Sequence, residues 1–304
     1  MRLVTYARMG VPSIGVELES GILDIPDAAS LFGRKYHVRG HSFPTTMMDL
    51  LQWESGIDVV RQIIQRYLKT PKSERLMTRP LNSITLEAPI SRPGKIVALG
   101  KNYLDHIEET KSEVPGSPGF PVIFAKFPSS VIGPDDTIFI PEISSKIDWE
   151  VELGVVIGRY CKDVSEKKAL DYVAGYTIIN DVSARDLQMG DGQWIRGKSL
   201  DSFCPMGPCI VTKDELGDAS KLKMYTKVNG KIKQESSTSN LMFNVPSIVS
   251  YLSKSFTLEP GDVISTGTPS GVGFVREPPE FLQPGDKIEM YIEKIGHLRN
   301  RVNQ

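Results

Sequence analysis

Acidic and bulky residues alternate in one stretch of the chain, 147–158, which reads IDWEVELGVVIG. Alternation at period two predicts a strand, whose successive side chains point to opposite faces. Asp148, Glu150 and Glu152 would then share one face, spaced roughly 6.5–7 Å apart along the strand. Carboxylates that are driven together in a dry interior repel, so this pattern indicates a hard divalent cation, which prefers oxygen ligands. A half-exposed strand with a solvated acidic face would also explain the alternation.

A second candidate pair is His106 and Glu109, in the stretch YLDHIEE that follows a short apolar strand predicted over Lys95–Leu99. If this stretch is helical, Glu109 lies three residues further on and faces His106. A carboxylate beside an imidazole fixes its tautomer and raises its basicity, as activation of a water molecule requires. A surface turn with an incidental His/Glu pair is the alternative.

Asp181 directly follows an apolar run, Ala174–Asn180, that predicts a strand. The end of a strand is a common functional position, since a loop begins there. Aspartate at such a place is also a turn former or a helix cap. Both interpretations of Asp181 stay open from its position alone.

The string GQWIRGKS over 192–199 fits the phosphate-loop pattern GxxxxGK[ST]. That pattern needs a buried strand before the loop and a helix after it, so that backbone amides surround a phosphate. Here the upstream stretch is polar, and the downstream LDSFCPMGP cannot form a long helix. The glycines between Gly267 and Gly273 also lack a strand–helix–strand setting. A nucleotide-binding protein is therefore the weaker hypothesis.

The composition is typical of a globular protein with a hydrophobic core: 304 residues, 40% hydrophobic and 24% charged. A net charge of −1 argues against a general nucleic-acid binder. No apolar run reaches the ~20 residues of a membrane helix, and the N-terminus predicts a strand rather than a signal peptide. Cys161, Cys204 and Cys209 have neither disulfide nor zinc spacing, so we expect reduced thiols in a cytoplasmic protein.

The order of predicted elements indicates an α+β, strand-rich chain of two modules. Short strands over 1–24 precede helices over 25–31, 47–53 and 57–68, and the proline-containing stretch 69–94 reads as a linker. We place the boundary near residue 80, between a small N-terminal module (1–80) and a larger second module (81–304). The second module contains a type I′ hairpin at Asn229-Gly230 and a helix over Val245–Lys254.

Five segments occur in an order that resembles the fumarylacetoacetate hydrolase family: GKNYLDH, DWEVELGVVIG, NDVSARDLQ, GKSLDSFCPMGP and STGTPSGVG. They span about residues 95–275, and the N-terminal module is similar to that of the two-module bacterial members. The resemblance implies a mixed β-sandwich roll of that family's C-terminal type, preceded by a small α+β module.

The resemblance also implies roles for individual residues. These are metal ligation by Glu150, Glu152 and Asp181, catalysis by His106, Glu109 and Lys198, and substrate binding by Arg185, Gln188 and Thr268. One Mg²⁺ or Mn²⁺ per chain is implied, and His106 and Glu109 would lie on a lid with Lys111–Gly119 as its hinge. Longer, fumarylacetoacetate-cleaving members carry an additional aspartate ligand where this chain has Lys101 and Asn102. Water would then complete the metal shell, which argues against fumarylacetoacetate as substrate.

Members of this family act on β-dicarbonyl or 2-keto acids, so a small acid of that class is the implied substrate. The leading hypothesis is a metal-dependent hydrolase that cleaves a C–C bond in acylpyruvate-like diketo acids. The alternatives are an oxaloacetate decarboxylase, an isomerase or hydratase of 2-hydroxy-dienoates in aromatic catabolism, and a non-catalytic metal-binding member. The resemblance implies a homodimer, and neither a nucleic acid nor a membrane is an expected partner.

Overall fold

The computed structural model of the chain describes residues 1–8, 10–32, 43–110, 119–190 and 192–304. The N-terminal part has the predicted order of strands and helices. These are β1 (Arg2–Arg8), β2 (Val11–Leu18), β3 (Gly21–Asp24), α1 (Ile25–Phe32), α2 (Met47–Gln52) and α3 (Gly56–Lys69). The Thr46 hydroxyl caps α2 by accepting the Asp49 amide. Two of the four histidines of the chain, His37 and His41, lie outside the described residues.

The second part begins with short strands and helices that include the predicted site segments. They are β4 (Thr85–Glu87), β5 (Ile96–Gly100), α4 (Leu104–Glu109), β6 (Val122–Lys126), β7 (Val131–Ile132), β8 (Thr137–Phe139), β9 (Ile147–Asp148), β10 (Val151–Ile157), α5 (Glu166–Ala169), β11 (Val173–Asn180), β12 (Ser183–Ala184), α6 (Arg185–Gly190) and α7 (Ile195–Lys198). The predicted hinge loop is described only at Gly119, since 111–118 lie outside the described residues.

Longer strands dominate the C-terminal part. Its elements are β13 (Cys204–Thr212), α8 (Lys213–Leu216), β14 (Lys223–Val228), β15 (Lys231–Ser237), α9 (Val245–Ser255), β16 (Val263–Ser265), β17 (Lys287–Ile292) and β18 (Gly296–Asn303). Single 3₁₀ turns occupy Lys72–Glu74, Leu81–Ser83, Pro128–Ser130, Leu170–Tyr172, Thr238–Asn240 and Gly273–Val275. Asn229 and Gly230 have φ of 51° and 78°, which confirms the predicted type I′ hairpin between β14 and β15.

The described strands form three sheets, which confirms the α+β, strand-rich prediction. An eleven-stranded sheet has the order β3-β2-β1-β13-β11-β10-β16-β5-β6, with β4 on β1 and β7 on β13. A five-stranded sheet has the order β15-β14-β17-β18-β8, and β9 pairs with β12. The large sheet is mixed, because β16 is parallel to β5 but antiparallel to β10.

Strand β10 is buried along its whole length because both of its faces are covered. Leu153 and Val155 share a hydrophobic cluster with Met290 of the five-stranded sheet. On the other face, Val156 clusters with Leu50 of α2. Burial on both faces explains why the second half of this strand is apolar without interruption. It also means that any carboxylate on β10 points into the protein.

The stretch 69–94, which the sequence predicted as a linker, includes one strand of the large sheet. Strand β4 pairs with β1, and Ala88 and Ile90 after it are buried. Pro80 and Pro89 lie on either side of β4 and outside its three paired residues. The proline content of this stretch therefore predicted a linker although a strand forms there. Strand β1 also pairs with β13, so the N-terminal strands continue the sheet of the second part. The module boundary near residue 80 stays a prediction.

The acidic stretch predicted as one strand is broken after Asp148. Strand β9 pairs with β12, whereas β10 pairs with β11 and β16. The solvated acidic face is also wrong, because Asp148, Glu150 and Glu152 are at most 5% exposed. The break separates Asp148 from the row of carboxylates on the longer strand.

No helix among the described residues combines the length and the hydrophobicity needed to cross a membrane.

Candidate active site

A cavity of about 370 Å³ brings together most of the residues singled out in the sequence. It is lined by Leu99, Gly100, Lys101, His106, Thr110, Phe124, Glu150, Glu152, Arg185, Gln188, Met189, Trp194, Lys198, Thr268 and Phe274. Of the nine predicted site residues, only Asp181 and Glu109 do not line it, and each of these contacts a residue that does. The structure thus places all nine around one centre, while their chemical roles stay predictions.

Glu150, Glu152 and Asp181 come together because β10 and β11 are antiparallel neighbours. Val151 pairs with Asn180, so the residues just outside this pair, Glu150 and Asp181, are adjacent at the strand ends. The Asp181 amide donates to the Glu150 carbonyl at 2.9 Å. One carboxylate oxygen from each of the three residues lies within 4.8 Å of the others. Together with Asp148, these residues are called the acid cluster below.

Two lysines hold Asp181, and the sequence identified only one of them. Lys198 Nζ lies 2.7 Å from Glu150 Oε2 and 2.7 Å from Asp181 Oδ2. Lys126 Nζ lies 2.6 Å from Asp181 Oδ1 and also donates to the Lys198 carbonyl. Lys126 is only 2% exposed, and a lysine is almost never fully buried unless it is paired. Its position at the end of the apolar strand β6 was the available signal.

Glu152 has a different environment from Glu150. Its Oε2 accepts hydrogen bonds from the Ser265 hydroxyl at 2.6 Å and the Gly267 amide at 2.9 Å. Burial raises the pKa of Glu152 well above its usual range, and the charges of Asp181 and Glu150 raise it further. Burial alone would also raise the pKa of Glu150, but Lys198 and Arg185 outweigh it and lower the pKa to about 2. Glu152 is therefore the carboxylate that lacks a cation of its own.

The acid cluster fits a divalent metal ion in geometry and in charge. Four buried carboxylates, Asp148, Glu150, Glu152 and Asp181, accompany three buried cations, Lys126, Arg185 and Lys198, which leaves a net charge of −1 (−4 and +3). An all-oxygen set of three clustered carboxylates is the donor set that Mg²⁺ and Mn²⁺ prefer. A divalent ion would offset the charge on Glu152 and leave the site positive toward an anionic substrate.

Arg185, at the start of α6, is fixed by Asp148 and by an aromatic ring. Its Nη2 lies 2.8 Å from Asp148 Oδ2 and 2.7 Å from Glu150 Oε1, and its Nη1 donates to Gln188 Oε1 at 3.0 Å. The guanidinium also lies over the Phe274 ring, 4.3 Å from the centroid. Asp148, which the break in the strand separates from Glu150 and Glu152, therefore orients a predicted substrate-binding residue.

His106 and Glu109 lie on one face of α4, as their spacing predicted. His106 Nδ1 is 3.5 Å from Glu109 Oε2 and has no hydrogen-bond partner among the described residues. Glu109 in turn accepts the Gly271 amide at 2.9 and 3.0 Å on its two oxygens. The carboxylate is thus anchored, and the imidazole lines the cavity beside it. This pair has the arrangement of a general base and its orienting group.

Thr268 is held by a buried glutamine that the sequence did not reveal. The Thr268 hydroxyl donates to the Val151 carbonyl at 3.0 Å and accepts from Gln234 Nε2 at 2.8 Å. Gln234 Oε1 also accepts the Val151 amide at 3.0 Å. These contacts fix Thr268 beside the start of β10, where Glu150 and Glu152 lie.

The glycine-containing segment 267–273 binds carboxylates through its backbone. The amides of Gly267, Gly271 and Gly273 donate to Glu152, Glu109 and Asp148 respectively. Amides that already bind protein carboxylates are not free to surround a phosphate. The phosphate-loop string has no strand before it among the described residues, and its helix α7 is only four residues long. Neither glycine pattern therefore has the structural context of a nucleotide site.

One wall of the cavity is apolar. Phe124 and Trp194 pack edge to face at 5.3 Å, and Leu99 and Met189 line the cavity with them. Gly100 is required beside this pair, because a Cβ there would come within 2.3 Å of the Trp194 ring. The Lys198 ammonium also lies 5.1 Å from the centroid of the Phe124 ring. The wall places apolar surface on one side of the charged centre.

Comparison with known proteins gives consistent matches along the whole chain. Residues 95–303 match the family model described as fumarylacetoacetate (FAA) hydrolase C-terminal. The chain is 39% identical over 308 residues to the mitochondrial oxaloacetate tautomerase Fahd2a of Rattus norvegicus, covering 99% of this chain and 91% of that protein.

Solved structures give the same result. A fumarylacetoacetate hydrolase from psychrophilic Exiguobacterium antarcticum superposes with a TM-score of 0.82 at 36% identity, covering 100% of this chain and 99% of the other. A maleylpyruvate hydrolase from Sphingobium sp. SYK-6, in complex with manganese(II) and pyruvate, gives 0.77 at 30% identity, covering 100% and 99%. The resemblance inferred from the five sequence segments is confirmed.

Proposed function

Because the chain belongs to the fumarylacetoacetate hydrolase family, we propose that it is a divalent-metal-dependent enzyme that interconverts the keto and enol forms of oxaloacetate. The structural observation behind this proposal is the convergence of the acid cluster, Arg185 and His106 on one cavity. Similarity to an oxaloacetate tautomerase over 99% of the chain supports the choice of substrate.

The proposed reaction moves one proton between C3 and the oxygen on C2 and breaks no carbon–carbon bond. Glu150, Glu152 and Asp181 would hold Mg²⁺ or Mn²⁺, which acts when bound as a Lewis acid toward the substrate's oxygens. Since Mg²⁺ and Mn²⁺ accept the same ligands, either ion suits the proposal.

His106 is the proposed base at C3, oriented by Glu109, which the Gly271 amide holds in place. Arg185 and Lys198 place positive charge beside the oxygen on which negative charge develops. Returning the proton to that oxygen completes the conversion to the enol, so no further reactant is needed. The apolar wall of Phe124 and Trp194 keeps these charges in a dry environment, where they act more strongly.

Hydrolysis of an acylpyruvate, the leading hypothesis from the sequence, is the second candidate. The anchored pair of His106 and Glu109 favours it, because the same base could deprotonate a water molecule that attacks the remoter carbonyl. The structural similarity to a maleylpyruvate hydrolase also supports it. Decarboxylation of oxaloacetate would use the same centre and differs in losing CO₂, and isomerisation of 2-hydroxy-dienoates would use the same base.

A panel of oxaloacetate, acetylpyruvate and fumarylacetoacetate, assayed with Mg²⁺ and with Mn²⁺, tests these proposals. The enol absorbance in the ultraviolet follows all three acids, and product analysis separates the reactions. We expect faster decay of enol oxaloacetate to the keto form with no loss of carbon. Release of acetate and pyruvate from acetylpyruvate would favour the hydrolase, and release of CO₂ the decarboxylase. Divalent binding without turnover of any acid would indicate a non-catalytic member. The proposed homodimer is tested separately by the mass of the particle in solution.

A further inference from the structure

Three side chains with a permanent positive charge line the cavity, and two of them already contact carboxylates. Arg185 and Lys198 each lie 2.7 Å from an oxygen of Glu150. The third, Lys101, has no ion pair or hydrogen bond from its ammonium group within the part of the chain that the structure describes. Among the described residues, the cavity therefore offers one cation that no carboxylate contacts.

The backbone at Lys101 has an unusual conformation that a lysine does not favour. Its φ is 54°, in the left-handed region, where asparagine and glycine are the preferred residues. The next residue fixes the segment, because Asn102 Nδ2 donates to the Thr266 carbonyl at 2.7 Å and its Oδ1 accepts the Phe243 amide at 2.8 Å. The local structure thus explains the conformation but not the choice of lysine. Such strained positions concentrate at functional sites.

A ligand with a second anionic group would find few other counter-charges among the residues that line this part of the cavity. Leu99 and Gly100, which precede Lys101, adjoin the wall of Phe124 and Trp194, which carries no charge. A carboxylate that left water for this part of the cavity without a counter-charge would be strongly disfavoured. Pairing with the Lys101 ammonium would supply that counter-charge through a charge-assisted hydrogen bond.

We propose that Lys101 determines substrate specificity by binding the second carboxylate of a short dicarboxylic 2-oxo acid. The inference rests on the proposed function in one respect, that the acid cluster holds the 2-oxo acid end of the substrate. It goes further by assigning the distal end of the substrate to a residue outside the nine predicted ones. It also gives a reason for preferring a dicarboxylic acid such as oxaloacetate to a monocarboxylic acid of equal length.

Equilibrium binding of two matched, unreactive acids to the full chain in the presence of Mg²⁺ tests this assignment. Malate and 2-hydroxybutanoate share a four-carbon skeleton and differ only in the group at C4, a carboxylate or a methyl. Titration calorimetry with the wild type should show tighter binding of malate. In Lys101→Asn, malate should lose about tenfold to a hundredfold in affinity, the range expected for one charged hydrogen bond, while 2-hydroxybutanoate keeps its affinity.

The variant is chosen so that it folds, because asparagine accepts a positive φ better than lysine does. Lys101→Arg should restore most of the preference for malate, and Lys254→Asn, which removes an exposed charge far along the chain, should leave it unchanged. The proposal is overturned if the wild type does not prefer malate, if Lys101→Asn keeps the preference, or if it weakens both acids equally. Because no turnover is measured, an enzyme inactive on oxaloacetate would refute the proposed function while the preference still decides the role of Lys101.

Discussion

The acid cluster and helix α4 both reach the cavity, but the structure holds them differently. In the cluster, Asp181 has a lysine on each of its oxygens, at 2.6 and 2.7 Å. Helix α4 is anchored by two acidic residues, one on each side of His106. Asp105 accepts a hydrogen bond from the Ser236 hydroxyl at 2.7 Å, and Glu109 accepts one from the Gly271 amide. The His106 imidazole is held less firmly, since its Nδ1 approaches Glu109 at 3.5 Å and has no hydrogen-bond partner among the described residues.

Under the proposed function, this difference separates a preassembled metal centre from a base that still lacks its working hydrogen bond. Carboxylates held this close together repel one another, and Lys126, Lys198 and Arg185 offset that repulsion in the cluster. A catalytic base often has long or poorly aligned hydrogen bonds until substrate is present. We therefore expect changes in the cluster to affect metal binding and stability, and changes in α4 to affect the rate alone.

The largest effect should come from Asp181→Asn, which removes a charge from the centre of the cluster. Lys126 and Lys198 would lose their shared carboxylate, and an uncompensated buried charge costs about 3–5 kcal/mol of unfolding free energy. We expect the protein to fold but to lose Mn²⁺ binding and activity. Denaturant unfolding and Mn²⁺ titration measure the two effects. Asp171→Asn, on the surface, is the matched control, and activity that survives in EDTA would contradict the metal centre.

His106→Ala should separate the two regions most clearly. Removing a general base lowers kcat by about 100-fold to 10,000-fold, whereas the acid cluster does not depend on the imidazole for its contacts. Affinity for Mn²⁺ should therefore stay at the wild-type value. Mn²⁺ titration measures the affinity, and steady-state kinetics of the same variant measures kcat. Equal loss of Mn²⁺ affinity and of kcat would make His106 a metal ligand, and the acid cluster and helix α4 would then not have separate roles.

A smaller effect is expected in the pH dependence of stabilisation by metal. Burial and the charges of Asp181 and Glu150 raise the folded-state pKa of Glu152 well above its ordinary value of 4.5, so its contribution to stability is present at low pH and lost as pH rises toward the folded pKa. The pKa of Glu150 is lowered to about 2, so above its ordinary value of 4.5 this carboxyl is ionised in both the folded and the unfolded protein. Glu150 therefore does not make stability depend on pH where Glu152 does. A bound divalent ion compensates for ionised Glu152, so it should stabilise more at higher pH.

Thermal unfolding with Mn²⁺ and with EDTA, at a mildly acidic and a mildly alkaline pH, measures this dependence. The Mn²⁺-induced rise in Tm should be larger at the alkaline pH. Glu152→Gln keeps the shape of the side chain and should abolish most of the difference. An identical rise at both pH values would show that Glu152 does not control the charge of the cluster.

Much of the fold could be predicted because hydrophobic period and turn residues act locally. The strand Val173–Asn180, the helix Val245–Ser255 and the hairpin at Asn229-Gly230 follow from neighbouring residues alone. The break in the acidic stretch could not be predicted from neighbouring residues. It depends on the pairing of β9 with β12, which lies some 35 residues further along the chain. Alternation along a segment predicts which face of a strand a residue lies on, but not which other strand that segment pairs with.

The candidate site divides in the same way. Glu150 and Glu152 were visible in one strand, and His106 and Glu109 in one helical turn. Lys126 could not be assigned from sequence, because its partner Asp181 is 55 residues away. The amide of Gly273, which donates to Asp148 from 125 residues away, carries no side-chain signal at all. Contacts through the backbone or across distant strands require the folded chain.

The pairing of β1 with β13 has a consequence for shortened forms of the chain. Arg2 and Leu3 lie opposite Val211 and Ile210, so a polypeptide that began after residue 80 would leave that side of β13 without its neighbour. Exposed strand edges recruit other chains and promote aggregation. We therefore expect a protein truncated in this way to be recovered with lower solubility, even if Glu150, Glu152 and Asp181 keep their positions.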